Sequence, residues 1–159
     1  MGFIDRLFGA TSADEAAAST ALDRALENYR HVLATAPAET IERVHAEAFA
    51  RLEEEHRAVL YEELSRGAGT GERPLSSEPE TLARAATRAE QRRPGTIERA
   101  LTAPAFAGSW ALSGVAAFVL ASPLTSAFLP WGAANLDGFG AASAPLADGM
   151  PAARAADTA

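Results

Sequence analysis

The sequence predicts an all-α protein: a small antiparallel helical domain, then a single Ala/Ser/Gly-rich apolar helix and a disordered tail. Three observations lead there. Apolar residues recur at three- and four-residue intervals through the first half of the chain. No stretch alternates apolar and polar residues as a half-buried strand would. Between Arg99 and Asp137 lie 37 consecutive uncharged residues, enough for one wholly apolar helix.

Residues 1–12 form a short amphipathic segment in which Phe3, Ile4, Leu7 and Phe8 share one face of a two-turn helix, opposite Asp5 and Arg6. Such a face lies in a membrane interface, docks on a partner groove or caps its own domain. Its apolar run is too short for a secretory signal, and position 6 lacks the Ser or Thr of a myristoylation pattern. Residues 13–66 are the acidic helical domain. Leu22, Leu26, Tyr29 and Leu33, with Ala18 and Ala25, make the inner face of a first helix, with Asp14 and Glu15 where a helix N-terminus favours negative charge. Thr35-Ala36-Pro37-Ala38-Glu39 stops that helix and starts the next, because proline fits a first turn and breaks an interior one. In the second helix Ile41, Val44, Ala48 and Leu52 point inward. Periodicity leaves open whether it runs through Glu53-Glu54-Glu55 to Val59, Leu60 and Leu64 or breaks near Leu52. Gly67 is expected to end it in the left-handed conformation.

Residues 67–76 are a linker by their glycine content. Ser77 and Glu80 have capping-box spacing and open an Arg/Ala-rich helical region over 77–101, with Leu82, Ala85, Ala86 and Ala89 on one face. Pro94-Gly95 ends that helix, and Thr96–Leu101 forms a short further turn. Residues 102–129 are the apolar segment, expected as one membrane-associating helix near 104–122. Small side chains at Ala105, Ser109, Ser113, Ala117, Ala121 and Thr125 make a continuous stripe of the kind that lets helices associate closely in membranes. Phe106, Trp110, Leu112, Val115, Phe118, Val119, Leu120 and Leu124 fall on the other faces, toward lipid or protein. Trp131 sits where an interfacial aromatic would sit, and Arg92, Arg93 and Arg99 flank the N-terminal side, which puts the helical domain in the cytoplasm by the positive-inside rule. The alternative is a soluble helical homo-oligomer with this segment buried between subunits. Residues 130–159 are Gly, Ala, Pro and Asp with little else and read as a disordered tail.

Composition excludes several classes of function. The chain has no cysteine, so it has no disulfide framework, thiolate zinc site, iron–sulfur cluster or cysteine nucleophile. A formal net charge of −7 argues against general nucleic-acid binding. That charge is uneven, with the acid concentrated before residue 67 and a slight basic excess over 67–101. Two Glu-x-x-His motifs, Glu42/His45 and Glu53/His56, have the spacing with which one helix face presents a carboxylate and an imidazole to a metal. On a continuous helix they would stand about 16 Å apart, so they meet only if the chain folds sharply or a second subunit joins. His31 reads as a helix-end residue. Gly67-Ala-Gly-Thr-Gly71-Glu-Arg lacks the Gly-Lys-Ser/Thr ending of a phosphate loop and follows a helix, not a strand. No Gly-x-Ser-x-Gly elbow is present, and nothing singles out a carboxylate pair for acid–base work. The expectation is therefore a non-enzymatic, membrane-associated adaptor or interaction protein without a cofactor, partnered by itself and by another protein. A Glu/His metal protein is the third reading.

The run LENYRHVLATAPAETIERVHAEAFARLEEEHRAVLYEEL, the later ETLARAATRAEQRRPGTIERAL and the small-residue-striped apolar segment together resemble a group of uncharacterised small actinobacterial proteins. The abundance of Ala and Arg without Lys agrees with a high-GC coding sequence. The resemblance covers about two-thirds of the chain and implies a helical N-terminal domain with a glycine-zipper-like apolar C-terminal segment. The zipper positions here carry Ala and Ser more often than Gly.

Overall fold

In the computed structural model the backbone is described for residues 3–108 and 110–129, and side chains for the same residues except 3–12 and 14. The described residues are helical with no strand: α1 (Phe3–Thr35), α2 (Ala38–Ala50), α3 (Glu54–Arg66), α4 (Pro79–Arg92), α5 (Thr96–Leu101) and α6 (Trp110–Ala121), with 3₁₀ turns at Pro104–Phe106 and Ser126–Phe128. The tail expected over 130–159 and Trp131 lie outside the described residues.

Helix α1 is 33 residues long and crosses the expected boundary at residue 12 without a break. Among its described side chains, those that join the core begin at Ala25 and include Tyr29 and Val32, whereas Leu22, Leu26 and Leu33 are half-buried and Ala18 is exposed. Pro37 separates α1 from α2 as expected. Its carbonyl accepts the first helical bonds, from Thr40 and Ile41 at 3.0 and 3.1 Å. Ile41, Val44, Ala48 and Leu52 are all buried.

The chain breaks between α2 and α3. The Arg51 and Leu52 N–H groups reach back to Ala48 and Phe49 at 3.1 Å, Glu53 is extended, and the Leu52 carbonyl accepts from the Arg57 guanidinium at 2.5 Å. The turn lets Leu52, Leu60 and Leu64 enter one buried cluster. Two local expectations are corrected. Gly67 ends α3 with φ −86°, right-handed, because its N–H bonds to Glu63 and the chain tightens into one more turn. Ser77 does not cap α4: Pro79 is its first residue, so Glu78 stands at the N-cap, and Ser76 accepts from the Glu78 N–H at 3.3 Å and shares a 2.9 Å bond with Thr81.

Helix α4 lies chiefly on α2. The small inner side chains Ala83, Ala85 and Ala86, beside Leu82, let the two backbones come close, while Ala89 is only half-buried. The turn into α5 needs a left-handed residue and has Gly95 at φ 82°. The buried Glu90 carboxylate fixes that turn by accepting the N–H groups of Gly95 at 2.6 Å and Ile97 at 2.9 Å. Arg30 of α1 closes the outside with a two-bond pair to Glu98 of α5, at 2.8 and 2.5 Å.

The apolar segment departs most from expectation. The predicted continuous helix over 104–122 is instead a 3₁₀ turn, left-handed Ala107 at φ 52°, and a 12-residue α6. No helix among the described residues is long and apolar enough to cross a membrane. The bulky residues expected to face lipid or protein are mostly core: Phe106, Leu112, Val115, Val119 and Leu120 belong to the same buried cluster as Tyr29, Val44 and Phe49. Helix α6 packs chiefly on α1 and α2. Past Ser122-Pro123, buried Thr125 donates to the carbonyls of Val119 and Ser122 and fastens the following turn. Truncating Leu120 to Ala should cost about 2–5 kcal/mol in urea denaturation, as for any buried leucine. A change near zero would mean that α6 does not belong to this core.

Candidate functional site

The four candidate metal ligands are dispersed. Glu42 is half-buried and pairs with Arg84 at 3.2 Å. His45 is fully buried. Its Nδ1–H donates to the Ile41 carbonyl at 2.7 Å, which leaves Nε2 to accept the Tyr29 hydroxyl at 2.7 Å. Burial lowers the His45 pKa to about 4 and pushes that of Tyr29 well above its usual value, so both are neutral partners. Glu53 is exposed at the start of α3. His56 meets Trp110 edge-on at 4.6 Å and stacks on Phe106 at 6.4 Å. The two imidazoles are thus engaged in different places, and no group of three or more His, Cys, Asp or Glu among the described residues could hold a metal ion. His31 is exposed in the last turns of α1.

The small-residue stripe does not form the packing face. Ala105 and Ala121 are exposed, Ser113 and Ala117 are half-buried, Thr125 is buried, and Ser109 lies outside the described residues. The bulky side of α6 turns inward instead. Phe3, Ile4, Leu7 and Phe8 fall on the α1 backbone, but their side chains lie outside the described residues.

What the fold does assemble is a cleft of about 520 Å³ between the end of α3, the turn over residues 67–72, the end of α4 and the start of α5. Four arginines line it: Arg66, Arg92, Arg93 and Arg99. Arg66 and Arg92 stand in the last turns of α3 and α4, where a cation complements the negative end of the helix dipole. Arg93 follows in the extended C-cap that leads to Pro94-Gly95, and Arg99 projects from α5. Leu64, Ala85, Ala89 and Ala100 supply the apolar lining.

Two carboxylates answer the four guanidinium groups. Glu63 pairs with Arg66 at 2.5 Å, and Glu72 pairs with Arg92. Arg99 donates to the Thr96 hydroxyl at 3.0 Å. Neither Arg93 nor Arg99 has an ion pair among the described residues. The cleft is therefore locally positive in a chain of net charge −7. Arginine forks recognise carboxylate and phosphate oxygens in plane, often through two bonds at once.

By sequence, Arg92, Arg93 and Arg99 read as a membrane flank and residues 67–76 as a linker. The available signal was the change of charge balance at residue 67, but its convergence with Arg66 is tertiary. No protein-family model, curated protein or solved structure matches this chain.

His45 yields a pH prediction. Its folded pKa lies below the unfolded value of 6.5, so between pH 6.5 and about 4 the unfolded chain takes up a proton that the folded chain refuses. Stability contributed at neutral pH is lost as the pH falls through that window, by about 3 kcal/mol from this group. The unfolding free energy of wild type minus that of His45→Gln, measured at pH 7 and pH 4, should shrink by about that amount. A difference independent of pH would contradict the buried neutral imidazole.

Proposed function

We propose that this chain is a non-enzymatic helical interaction module whose arginine cleft takes an acidic segment of a partner protein. The observation that carries the reading is the convergence of four guanidinium groups from α3, α4 and α5 on one cleft that holds only two carboxylates. An acidic side chain entering there exchanges water for fixed donors, and the apolar lining accommodates the aliphatic part of a Glu or Asp side chain. The net charge of −7 opposes long polyanions such as nucleic acid, so selectivity falls to a short acidic stretch that reaches only the cleft. A membrane anchor has no part in this reading, since the bulky face of α6 is spent inside the core.

A second feature favours interaction over catalysis. Ala13 and residues 15–21 of α1 are all exposed, and the helix extends N-terminally from its core contacts at Ala25. The part from Phe3 to Ala21 measures about 28 Å at 1.5 Å per residue. A helix of that length owes little of its stability to propensity alone and gains from a partner that packs against it.

Anisotropy of a fluorescein-labelled hexaglutamate peptide tests the cleft. Wild type should bind in a salt-sensitive manner, and Arg93→Glu with Arg99→Glu should weaken binding by about tenfold or more, the scale of one lost charge-assisted contact. Arg88→Glu, an exposed α4 position away from the cleft, supplies a control. An equal loss in that control would reduce the effect to overall charge, and absence of wild-type binding would overturn the reading.

A further inference from the structure

Inside the cleft one carboxylate is held as a ligand would be. Glu72 accepts the Gly69 N–H on Oε2 at 3.1 Å and the Arg92 guanidinium on Oε1. The two residues are tied reciprocally, since the Glu72 N–H returns to the Gly69 carbonyl at 3.1 Å. The turn between them passes through Gly71 at φ 80°, a backbone conformation that glycine takes freely. Gly69 matters for a different reason. A Cβ there would stand 3.3 Å from the Glu72 carboxyl carbon and from Oε2, so the carboxylate would have to give by a few tenths of an ångström.

We infer that Glu72 is a built-in occupant of the anion seat, and that an incoming carboxylate binds by displacing it onto solvent. The inference rests on the proposed function of the cleft and adds to it the chemical class of the group recognised and the device that limits affinity. Three properties support it. The seat joins a guanidinium to a backbone N–H and so satisfies both oxygens of one planar carboxylate. The pair is open to water, with the Glu72 and Arg92 side chains 34% and 50% exposed, which makes it a weak contact that a ligand of the same chemistry replaces at little cost. The turn that holds Glu72 is exposed at Gly69, Thr70 and Gly71, so its release disturbs no core residue. With Glu72 swung out, four guanidinium groups face Glu63 alone.

A tethered competitor lowers apparent affinity by the fraction of molecules in which the seat is open. Glu72→Gln should therefore tighten hexaglutamate binding by about three- to tenfold. Removing a negative charge alone would also help an acidic peptide, so the charge-conserving Glu72→Asp decides: one methylene shorter, it draws its carboxylate back from the Gly69 N–H and Arg92, leaves the seat itself unaltered, and should tighten binding in the same direction. Helicity measured by circular dichroism verifies that both variants fold. Tightening in both supports the inference. Wild-type binding that Glu72→Asp leaves unchanged or weakens overturns the displacement while leaving the cleft reading intact. Absence of hexaglutamate binding in wild type and in Glu72→Gln alike overturns both.

Discussion

The structure depends on covering α6. That helix is apolar around its circumference apart from Ser113, and a helix without a polar face must be enclosed by protein or by lipid. Here α1 and α2 enclose it, and the enclosure decides much else. It gives the C-terminal half of α1 its principal docking surface. It also explains why α2 ends at Ala50: a straight continuation would carry Leu60 and Leu64 away from the cluster that α6 completes. The exposed Arg51 places its guanidinium 4.6 Å from the centre of the Phe118 ring and covers part of the outer side of α6.

Within this apolar frame Tyr29, His45 and Glu90 are hydrogen-bonded, whereas the buried Ser65 and Thr87 hydroxyls have no partner. Tyr29 on α1 and His45 on α2 form a hydrogen bond in the same cluster, with the second imidazole nitrogen already committed to Ile41. Its strength as a specifying contact comes from the cost of breaking it, since either partner alone would leave a desolvated polar atom in the core. Glu90 works the same way near the end of α4, where its carboxylate caps the start of α5. That turn sets the direction of Arg93 and Arg99, and so the fold's interior determines where the positive cleft opens.

The all-helical class and the inward positions of α2 were legible because they depend on local period: Ile41, Val44, Ala48 and Leu52 repeat at helical spacing whatever surrounds them. The α2–α3 break was not, because a continuous helix and a broken one keep the same residues apolar. The inner face of α6 could not be read from its small-residue stripe, because a helix apolar on every face does not say which side its own chain will cover; here Leu112, Val115, Val119 and Leu120 are the residues buried in the cluster shared with α1 and α2. His45 looked like a ligand because its partner Tyr29 is 16 residues away. The cleft depends on Arg66, Glu72, Arg92 and Arg99 meeting across three helices and a turn, which no periodicity encodes.

Native-state hydrogen exchange resolved to single amides tests the central claim, that α6 is the enclosed centre of one cooperative structure. Amides of Val115 to Leu120 should exchange only through global unfolding, with the same free energy as the most protected amides of α2 and α4. Exchange of α6 through a separate, low-energy opening, while α2 and α4 stay protected, would contradict the account and return the apolar segment to an independent role.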